Sequence, residues 1–449
     1  MGRKAPVWLV ALLVLPAALA GCLGSEEDPT NPTEGEEAST DWRFTDFIVT
    51  EHDHEDPVAH TASSPTMEHV AWDQLNDEHA ESYIGELDTQ AGLTAVAVLG
   101  QGSVPGFVLL DTSDPSQPER LGRGEAPAAY AVDVKLTEDG QFAMLATQKV
   151  TTSRVSGEPT QETVTEGTYA MRNGIILYDI SDPTNPEIVS FAPAEAFGCH
   201  MLSIAQIEGT EWVFCINQSL TVYRFERSPE PQLVQAGIFW PFGEQGYDTL
   251  TSKATPLGAT PHDMTFQLDP LTETPVLTVS HWDLGVAVLD VSNPLAPEQL
   301  LRWAGEGAEH YQGYLHSAML TSLDGERYLV ATPETLDDIL PAIWVLDASD
   351  WAQPELVAEW VNPGGHTSQG LIMTVHQVQL VEDRIYMTYN HNGVWVLSLS
   401  TILEHGGTAP DASEVLGYHY PPVADLDVTF FDRESFPMGR PAVWDLNVV

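Results

Sequence analysis

Histidine recurs at one fixed place in this chain, at the start of a short apolar stretch that leads into a turn. The four copies are His200 in Cys-His-Met-Leu-Ser-Ile, His262 in Pro-His-Asp-Met-Thr-Phe, His316 in Leu-His-Ser-Ala-Met-Leu and His376 in Val-His-Gln-Val-Gln-Leu. Neutral imidazole is a good ligand for Cu, Zn and Fe, so imidazoles that converge would form a transition-metal site. The alternative is that each His is a structural residue of a repeat and hydrogen-bonds the backbone of a neighbouring unit.

Two further histidines lie one predicted strand later, His281 in Ser-His-Trp-Asp and His391 in Asn-His-Asn. If their loops return to the same rim, these side chains would bind the metal or hydrogen-bond to the residues that do. The His- and acid-rich segment 52–60 precedes the first repeat, and a solvated acidic stretch explains it more simply. No GxSxG, HExxH, Walker or dinucleotide-binding motif occurs, so the sequence contains no established catalytic motif.

The elements that would position these histidines are set by a second recurring motif, an apolar strand followed by Asp-x-Ser-Asp-Pro or a close variant. The apolar, β-branched run predicts a buried strand. Asp, Ser and Asn then bond their own backbone in a tight turn, and Pro ends the strand. The clear copies are 108–118, 176–186, 288–297 and 345–354, with weaker copies at 221–231 and 394–399.

Each repeat contains about four short strands in roughly 40 to 60 residues, which is the scale of one propeller blade. The predicted fold is therefore all-β, a β-propeller of four-stranded blades, with seven blades expected and six or eight as the alternatives. In a propeller the first strand of every blade lines the central channel, so the histidines would form a ring there. The predicted blades are 83–122, 130–193, 199–240, 262–305, 316–361 and 376–420, with a seventh beginning near 444.

The strand-and-turn motif resembles the LVIVD-repeat proteins, a family of bacterial and archaeal exported β-propellers, over most of 83–399. The resemblance implies the architecture but no activity, because that family is mostly uncharacterised. The architecture and the channel-facing histidines are also similar to selenium-binding proteins, which include methanethiol oxidases. A surface module that binds or scaffolds an unidentified partner is the first functional prediction. A metal-dependent, oxidative enzyme with a His-lined channel is the alternative.

The N-terminus reads as an export signal, with basic residues at 3–4, an apolar stretch at 7–20 and Leu-Ala-Gly-Cys ending at Cys22. This pattern resembles the lipobox of prokaryotic lipoproteins and predicts a lipid on Cys22, with the ordinary secretory signal as the alternative. We expect anchoring to the outer face of the cytoplasmic membrane. The predicted divisions are 1–21 signal, 22–41 lipidated Cys and acidic tether, 42–82 N-terminal extension or closing segment, and 83–449 propeller.

The chain is strongly acidic, with 66 Asp and Glu against 17 Lys and Arg and a formal net charge of −49. Such a surface repels nucleic acid, so the expected partners are the membrane through the anchor and an unidentified protein, glycan or small molecule. The charge is typical of adaptation to salt; a surface that collects cations is the alternative. Cys199 and Cys215 flank a predicted hairpin, where either a disulfide or two buried thiols would fit an exported protein.

Overall fold

The computed structural model describes residues 9–11, 64–68, 70–73, 84–99, 105–126, 130–148, 173–194, 198–217, 219–242, 261–282, 284–308, 315–334, 343–362, 375–389, 393–409, 411–419 and 445–448. Within this part of the chain lie six four-stranded antiparallel sheets, each formed by strands consecutive in sequence. The first strands of neighbouring sheets contact each other around a ring. The protein is therefore an all-β propeller, as the repeats predict.

Two short strands outside the blades, β1 (Leu9–Ala11) and β2 (Ala71–Asp73), pair with each other. Blade 1 consists of β3 (Ile84–Gln90), β4 (Leu93–Val98), β5 (Gly106–Asp111) and β6 (Glu119–Glu125). Blade 2 consists of β7 (Tyr130–Leu136), β8 (Phe142–Gln148), β9 (Gly174–Asp179) and β10 (Glu187–Pro193). Blade 3 consists of β11 (Met201–Ile207), β12 (Thr210–Ile216), β13 (Leu220–Glu226) and β14 (Gln232–Phe239).

Blade 4 consists of β15 (Pro261–Leu268), β16 (Pro275–His281), β17 (Gly285–Asp290) and β18 (Glu298–Trp303). Blade 5 consists of β19 (Leu315–Leu323), β20 (Glu326–Pro333), β21 (Ile343–Asp347) and β22 (Glu355–Trp360). Blade 6 consists of β23 (Val378–Val381), β24 (Arg384–Thr388), β25 (Val394–Ser398), helix α1 (Leu399–His405) and β26 (Val415–His419).

The recurring turn forms as its residue types require. In four blades the Asp that ends the third strand accepts a hydrogen bond from the backbone N–H two residues on, at 2.7–2.9 Å. The Asp or Asn three residues later does the same at 3.0–3.1 Å. These Asx turns connect the third strand to the exposed fourth strand. The carboxylates that end these strands therefore have a structural role in the turns: Asp111, Asp179, Asp290 and Asp347.

Blade 6 replaces this turn with helix α1, which the sequence did not predict. Ser398 caps its start, because its hydroxyl accepts a hydrogen bond from the N–H of Thr401 at 3.2 Å. Gly406 ends it in the left-handed conformation that favours glycine, at φ 66°. Leu399 and Ile402 of the helix are buried in the core of blades 5 and 6. The weak match of 394–399 to the motif thus reflects a different connection between the same two strands.

Large aromatic side chains fill the space between successive blades. The rings of Trp303 and Trp344 lie 6.0 Å apart between blades 4 and 5. Those of Trp360 and Trp395 lie 6.0 Å apart between blades 5 and 6. All four side chains are at most 1 % exposed. Burial of this size provides most of the favourable free energy that holds one blade against the next.

The prediction of seven blades is wrong, because the described residues form six four-stranded blades. Residues 445–448 lie instead as a single extended segment between the inner strands of blades 6 and 1. Val448 donates its N–H to Oε1 of Gln379 at 2.7 Å, and Leu446 accepts from Nε2 of Gln379 at 3.0 Å. On the other side, Leu87 of blade 1 donates to Oδ2 of Asp445 at 2.8 Å. The segment 445–448 therefore joins the inner strands of blades 6 and 1.

We expect Gln379→Ala to weaken this closure, because it removes both hydrogen bonds to the closing segment. Leaving those partners without a protein hydrogen bond costs about 1–3 kcal/mol. The measurement is the free energy of unfolding in urea, at a fixed salt concentration. The control is Gln232→Ala on the exposed strand β14, which should change the value by less than about 0.5 kcal/mol. Equal effects of the two variants would contradict the assignment of Gln379 to ring closure.

Residues of the N-terminal part of the chain contact the outer strand of blade 6. Ser64 donates its N–H to the carbonyl of Tyr418 in β26 at 2.9 Å. Strand β1 lies in the segment predicted as the export signal, so cleavage before Cys22 would remove it and its pairing with β2. No helix in the described part of the chain is long and apolar enough to cross a bilayer.

Candidate metal centre

The four repeated histidines lie at one rim of the propeller, where every inner strand begins. His262 and His316 are each the second residue of their strand, at a register shift in the pairing with the second strand. A β-bulge of this kind adds one residue and redirects its side chain. His200 directly precedes β11, and His376 lies two residues before the start of β23. The sequence repeat thus places four imidazoles at equivalent positions on blades 3 to 6.

These imidazoles form a continuous row from blade to blade. Nε2 of His200 lies 3.0 Å from Nδ1 of His262. The ring centres of His262 and His316 lie 4.6 Å apart, and those of His316 and His376 lie 4.1 Å apart. His316 and His376 are at most 2 % exposed, and His262 is 14 % exposed. The histidines therefore converge on one small region.

Glu334 lies at the centre of this row, although it comes from a different strand. It follows β20, the second strand of blade 5, which ends at the histidine rim. Its Oε2 lies 3.2 Å from Nε2 of His262 and 3.7 Å from Nε2 of His316. Its Oε1 lies 3.9 Å from Nε2 of His376. One carboxylate therefore faces three imidazoles.

Three of these side chains have the composition and spacing of a metal site. One ligand atom each from His262, His316 and Glu334 lies within 4.8 Å of the other two. Bonds of about 2.0–2.1 Å in a tetrahedral site place neighbouring ligand atoms about 3.3 Å apart. The observed separations of 3.2 and 3.7 Å from Glu334 to the two imidazoles are close to that value. Two imidazoles and a carboxylate suit Zn and non-haem Fe(II), and leave coordination positions open.

His200 orients His262 from behind. If Nε2 of His262 binds the metal, its Nδ1 carries the proton and donates to Nε2 of His200 at 3.0 Å. Metal-binding imidazoles are usually fixed in this way by an acceptor on the far nitrogen. The indole of Trp282 packs on the other side of His262, with ring centres 4.2 Å apart. Both neighbours restrict the rotation of the His262 ring.

Burial favours the neutral form of two imidazoles in the cluster, and the carboxylate beside them is held ionised. Burial lowers the pKa of His200 well below its usual range, and the neighbouring histidines lower it further. Burial also lowers the pKa of His316. Burial alone would raise the pKa of Glu334, but attraction to the nearby imidazoles of His316, His262 and His376 holds it below its ordinary value. Neutral imidazole and ionised carboxylate are the protonation states that bind a cation.

His281 is not one of the three side chains whose ligand atoms converge. Its ring packs on Phe242, with centres 4.9 Å apart, and its Nδ1 accepts from the N–H of Leu284 at 3.3 Å. Burial lowers its pKa to about 3, so it stays neutral. These contacts hold its ring against Phe242 and the backbone of Leu284, next to the site. His391 and Cys22 lie outside the described residues. Cys199 and Cys215 are joined by a disulfide within blade 3, with their Cα atoms 5.6 Å apart.

Glu334 is the site residue that the sequence analysis missed. It directly follows β20, the second strand of its blade. Acidic residues are so abundant in this chain that a single Glu there carries no distinctive signal. Its role becomes visible only from the packing of blade 5 against blade 4, which places this carboxylate beside the histidines.

Beside the cluster, a cavity of about 600 Å³ runs along the inner strands of the propeller. Asp263 and Gln377 line it and directly follow His262 and His376 in sequence. His376 also connects the two regions, because its Nδ1 lies 3.8 Å from Oε1 of Glu86 in the cavity lining. A metal bound at the rim would therefore adjoin an internal space large enough for a small organic molecule.

Fold and rim together define the class of this protein, a six-bladed β-propeller with a histidine-rich channel rim. The chain contains an LVIVD repeat, because the family model of that name matches residues 168–191. The predicted resemblance to LVIVD-repeat propellers is confirmed to this extent. No curated protein matches the chain.

Several solved structures are similar to the chain at low sequence identity. The periplasmic gluconolactonase PpgL of Pseudomonas aeruginosa is 14% identical over 78% of this chain and 89% of its own, with a TM-score of 0.49. A chain of the mitotic checkpoint complex is 13% identical over 70% of this chain and 76% of its own, with a TM-score of 0.43. Sqt1 of Saccharomyces cerevisiae is 13% identical over 73% of this chain and 84% of its own, with a TM-score of 0.42. No activity follows from similarity at this level.

Proposed function

We propose that this chain is an exported, lipid-anchored propeller that binds a transition-metal ion at its histidine rim and presents it to a ligand outside the cell. The observation that carries the metal site is the convergence of His262, His316 and Glu334, whose ligand atoms all lie within 4.8 Å of one another. The anchor rests on the sequence around Cys22 alone. The net charge of −49 supports cation binding, because it raises the local concentration of cations.

The first test is metal binding by the purified protein, loaded in turn with Zn(II), Cu(II) and Fe(II) and then desalted. We expect close to one equivalent of metal by elemental analysis, and a higher melting temperature with the preferred metal, because a ligand that binds only the folded state stabilises it. His262→Ala should remove this bound equivalent and the thermal shift.

The matched control is His405→Ala, which removes an exposed imidazole from helix α1 and should leave both readouts unchanged. Metal bound equally by the two variants would mean that the rim is not the site. No metal bound by a folded wild-type protein would overturn the proposal and leave the histidines a structural role in the rim.

A metal-dependent, oxidative enzyme is a second candidate, and one observation favours it. The protein supplies three converging ligands, and an internal cavity of about 600 Å³ adjoins them. Catalytic metal sites typically keep a position open for substrate, whereas structural sites are closed by four protein ligands. Azide added to the Cu(II)-loaded protein tests the open position that such an enzyme requires. A changed electron paramagnetic resonance spectrum indicates an open position, and an unchanged spectrum contradicts the enzyme.

A further inference from the structure

Inner strands of this propeller are joined by side chains that hydrogen-bond to the backbone of the next blade. Between blades 4 and 5, Oε1 of Gln267 accepts from the N–H of Leu320, and its Nε2 donates to the carbonyl of Leu320, both at 2.8 Å. The closing segment 445–448 is held to blade 1 by a similar contact, in which Oδ2 of Asp445 accepts from the N–H of Leu87 at 2.8 Å. Residues 445–448 also line the central cavity. The segment therefore closes the cavity wall between blades 6 and 1.

Asp445 makes this contact beside a second carboxylate. Glu86, which precedes Leu87, is 2 % exposed, and its side chain is hydrogen-bonded to that of Asp445. Ionised carboxylates have acceptors and no donor, so this hydrogen bond requires a proton on one of the two groups. Oε2 of Glu86 also accepts from Nε2 of Gln377 at 3.3 Å, which fixes the carboxylate in this place. The contact between the closing segment and blade 1 therefore contains a shared proton.

The charged groups around this pair provide one cation, which is already paired. Lys135 of blade 2 attracts both carboxylates, but its Nζ forms an ion pair with Oδ1 of Asp133 at 2.8 Å. Asp88 of blade 1 adds a further negative charge near Lys135. Strand β23 of blade 6 has no titratable residue, and His376 before it has its Nδ1 3.8 Å from Oε1 of Glu86. Loss of the shared proton would therefore place two anions side by side without a cation of their own.

The free-energy cost of that state is reflected in the pKa of Asp445. Burial raises this pKa to about 6, and the hydrogen bond with Glu86 and the attraction to Lys135 offset only part of the effect. A solvated Asp has a pKa of about 3.9. Because the pKa is raised in the attached state, its contribution to attachment is full below about pH 4 and is lost as the pH rises through about 6. The difference of about two pH units corresponds to about a hundredfold change in the attachment equilibrium.

We propose that attachment of the closing segment is controlled by pH: a proton shared by Asp445 and Glu86 holds residues 445–448 between blades 6 and 1, and loss of that proton near neutral pH releases the segment from the wall of the central cavity. The two hydrogen bonds to Gln379 do not titrate, so the pH dependence arises at the carboxylate pair. The inference goes beyond the proposed metal function, because neither carboxylate is among the three converging ligands.

The test is hydrogen–deuterium exchange with mass spectrometry on the purified protein without metal, at about pH 5 and about pH 7.5 in constant salt. Exchange rates are corrected for the effect of pH on free amides. We expect the amides of Leu87 and Val448 to exchange about tenfold or more faster at the higher pH, because both are protected by attachment of the segment. The internal reference is the amide of Leu320, whose partner Gln267 does not titrate, and its corrected rate should stay the same.

Asp445→Asn separates the shared proton from a general response to pH. The amide keeps an acceptor for Leu87 and donates to the carboxylate of Glu86, so the segment should stay attached at both pH values. Glu86→Gln provides a second variant that leaves Asp445 intact and supplies the donor from the other side. Glu298→Gln is the control, since it removes an exposed carboxylate from strand β18 and should keep the pH dependence of the wild type.

Exchange at Leu87 and Val448 that does not change with pH in the folded wild type would overturn the proposal. So would a pH dependence in Asp445→Asn equal to that of the wild type, or an equal response at Leu320, which would mean that the whole ring responds. Metal binding is measured separately on the same preparations. Absence of bound metal contradicts only the proposed function, and exchange that is independent of pH contradicts only this inference.

Discussion

Asp269→Asn is expected to lower the free energy of unfolding by about 3–5 kcal/mol, the usual cost of removing one partner from a buried ion pair. Oδ2 of Asp269 accepts from Nε of Arg327 at 2.6 Å, and its Oδ1 accepts from Nη2 at 3.0 Å. The Asp269 side chain is fully buried and that of Arg327 is 5 % exposed. The substitution leaves the guanidinium charge in place with no charge opposite it.

The surroundings of the pair explain why we expect an effect of this size. Asp269 belongs to the first hairpin of blade 4, and its Oδ1 also accepts from the N–H groups of Leu271 and Thr272 at 2.9 and 2.8 Å. Arg327 belongs to blade 5, where its guanidinium lies 3.9 Å from the ring centre of Trp351. The ion pair therefore fixes one hairpin and joins two blades at the rim opposite the histidines.

The same pair predicts a pH dependence with a defined sign. Burial would raise the pKa of Asp269, but the hydrogen bonds from Arg327 and the hairpin lower it below its ordinary value. A depressed folded-state pKa gives stability that is present above the unfolded-state pKa, about 3.9, and is lost as the pH falls through the folded-state value. The difference between wild type and Asp269→Asn should therefore be full at pH 7 and shrink below about pH 4.

The measurement is urea unfolding of both proteins at pH 7 and at acidic pH, in constant salt. Glu226→Gln is the control, since it breaks the exposed pair with Arg224 and should cost at most about 1 kcal/mol. A loss below about 1 kcal/mol in Asp269→Asn at pH 7 would contradict the assigned role. So would a difference that does not depend on pH.

The parts of the fold that the sequence predicts are those determined by residues close together in the chain. The Asp-x-Ser-Asp-Pro turns and the apolar runs before them encode their own geometry, so the blades and their order are readable from the chain. The blade count is not local. It depends on where residues 445–448 lie, and an inner-strand pattern looks the same in a segment that joins two blades as in the first strand of a blade. Helix α1 likewise replaces a turn in only one blade.

The candidate site divides in the same way. A repeat places His200, His262, His316 and His376 at equivalent positions, so their convergence follows once the fold is a propeller. Glu334 has no counterpart in the repeat and enters through the loop after β20. The Asp269–Arg327 pair joins residues that are 58 positions apart, and neither belongs to the repeated motif. Contacts that occur once, between blades, leave no periodic signal in the chain.

Glu334→Gln is expected to weaken metal binding by about a hundredfold or more, since it removes the anionic ligand while keeping the shape of the side chain. Its carboxylate lies 3.2 and 3.7 Å from the imidazoles of His262 and His316 and is the only carboxylate among the three converging ligands. The loss should exceed the 10–100-fold that removal of an outer partner typically costs. Competition titration against a chelator of known affinity measures the change.

His200→Ala provides the graded comparison. His200 touches His262 rather than the proposed metal position, at 3.0 Å between the two ring nitrogens. Its removal should therefore weaken binding by about 10–100-fold through loss of orientation, less than Glu334→Gln. An affinity that falls equally in both variants would mean that Glu334 only positions the histidines.

The difference between these variants also decides what the rim can do. If Glu334 binds the metal, the ion has two imidazoles and a carboxylate on one side, and its remaining positions are available to a ligand. If affinity survives in Glu334→Gln but is lost in His376→Ala, the imidazoles alone form the site. That second outcome would restore the ring of histidines as the ligand set, and imidazole ligands suit Cu, Zn, Fe or Ni.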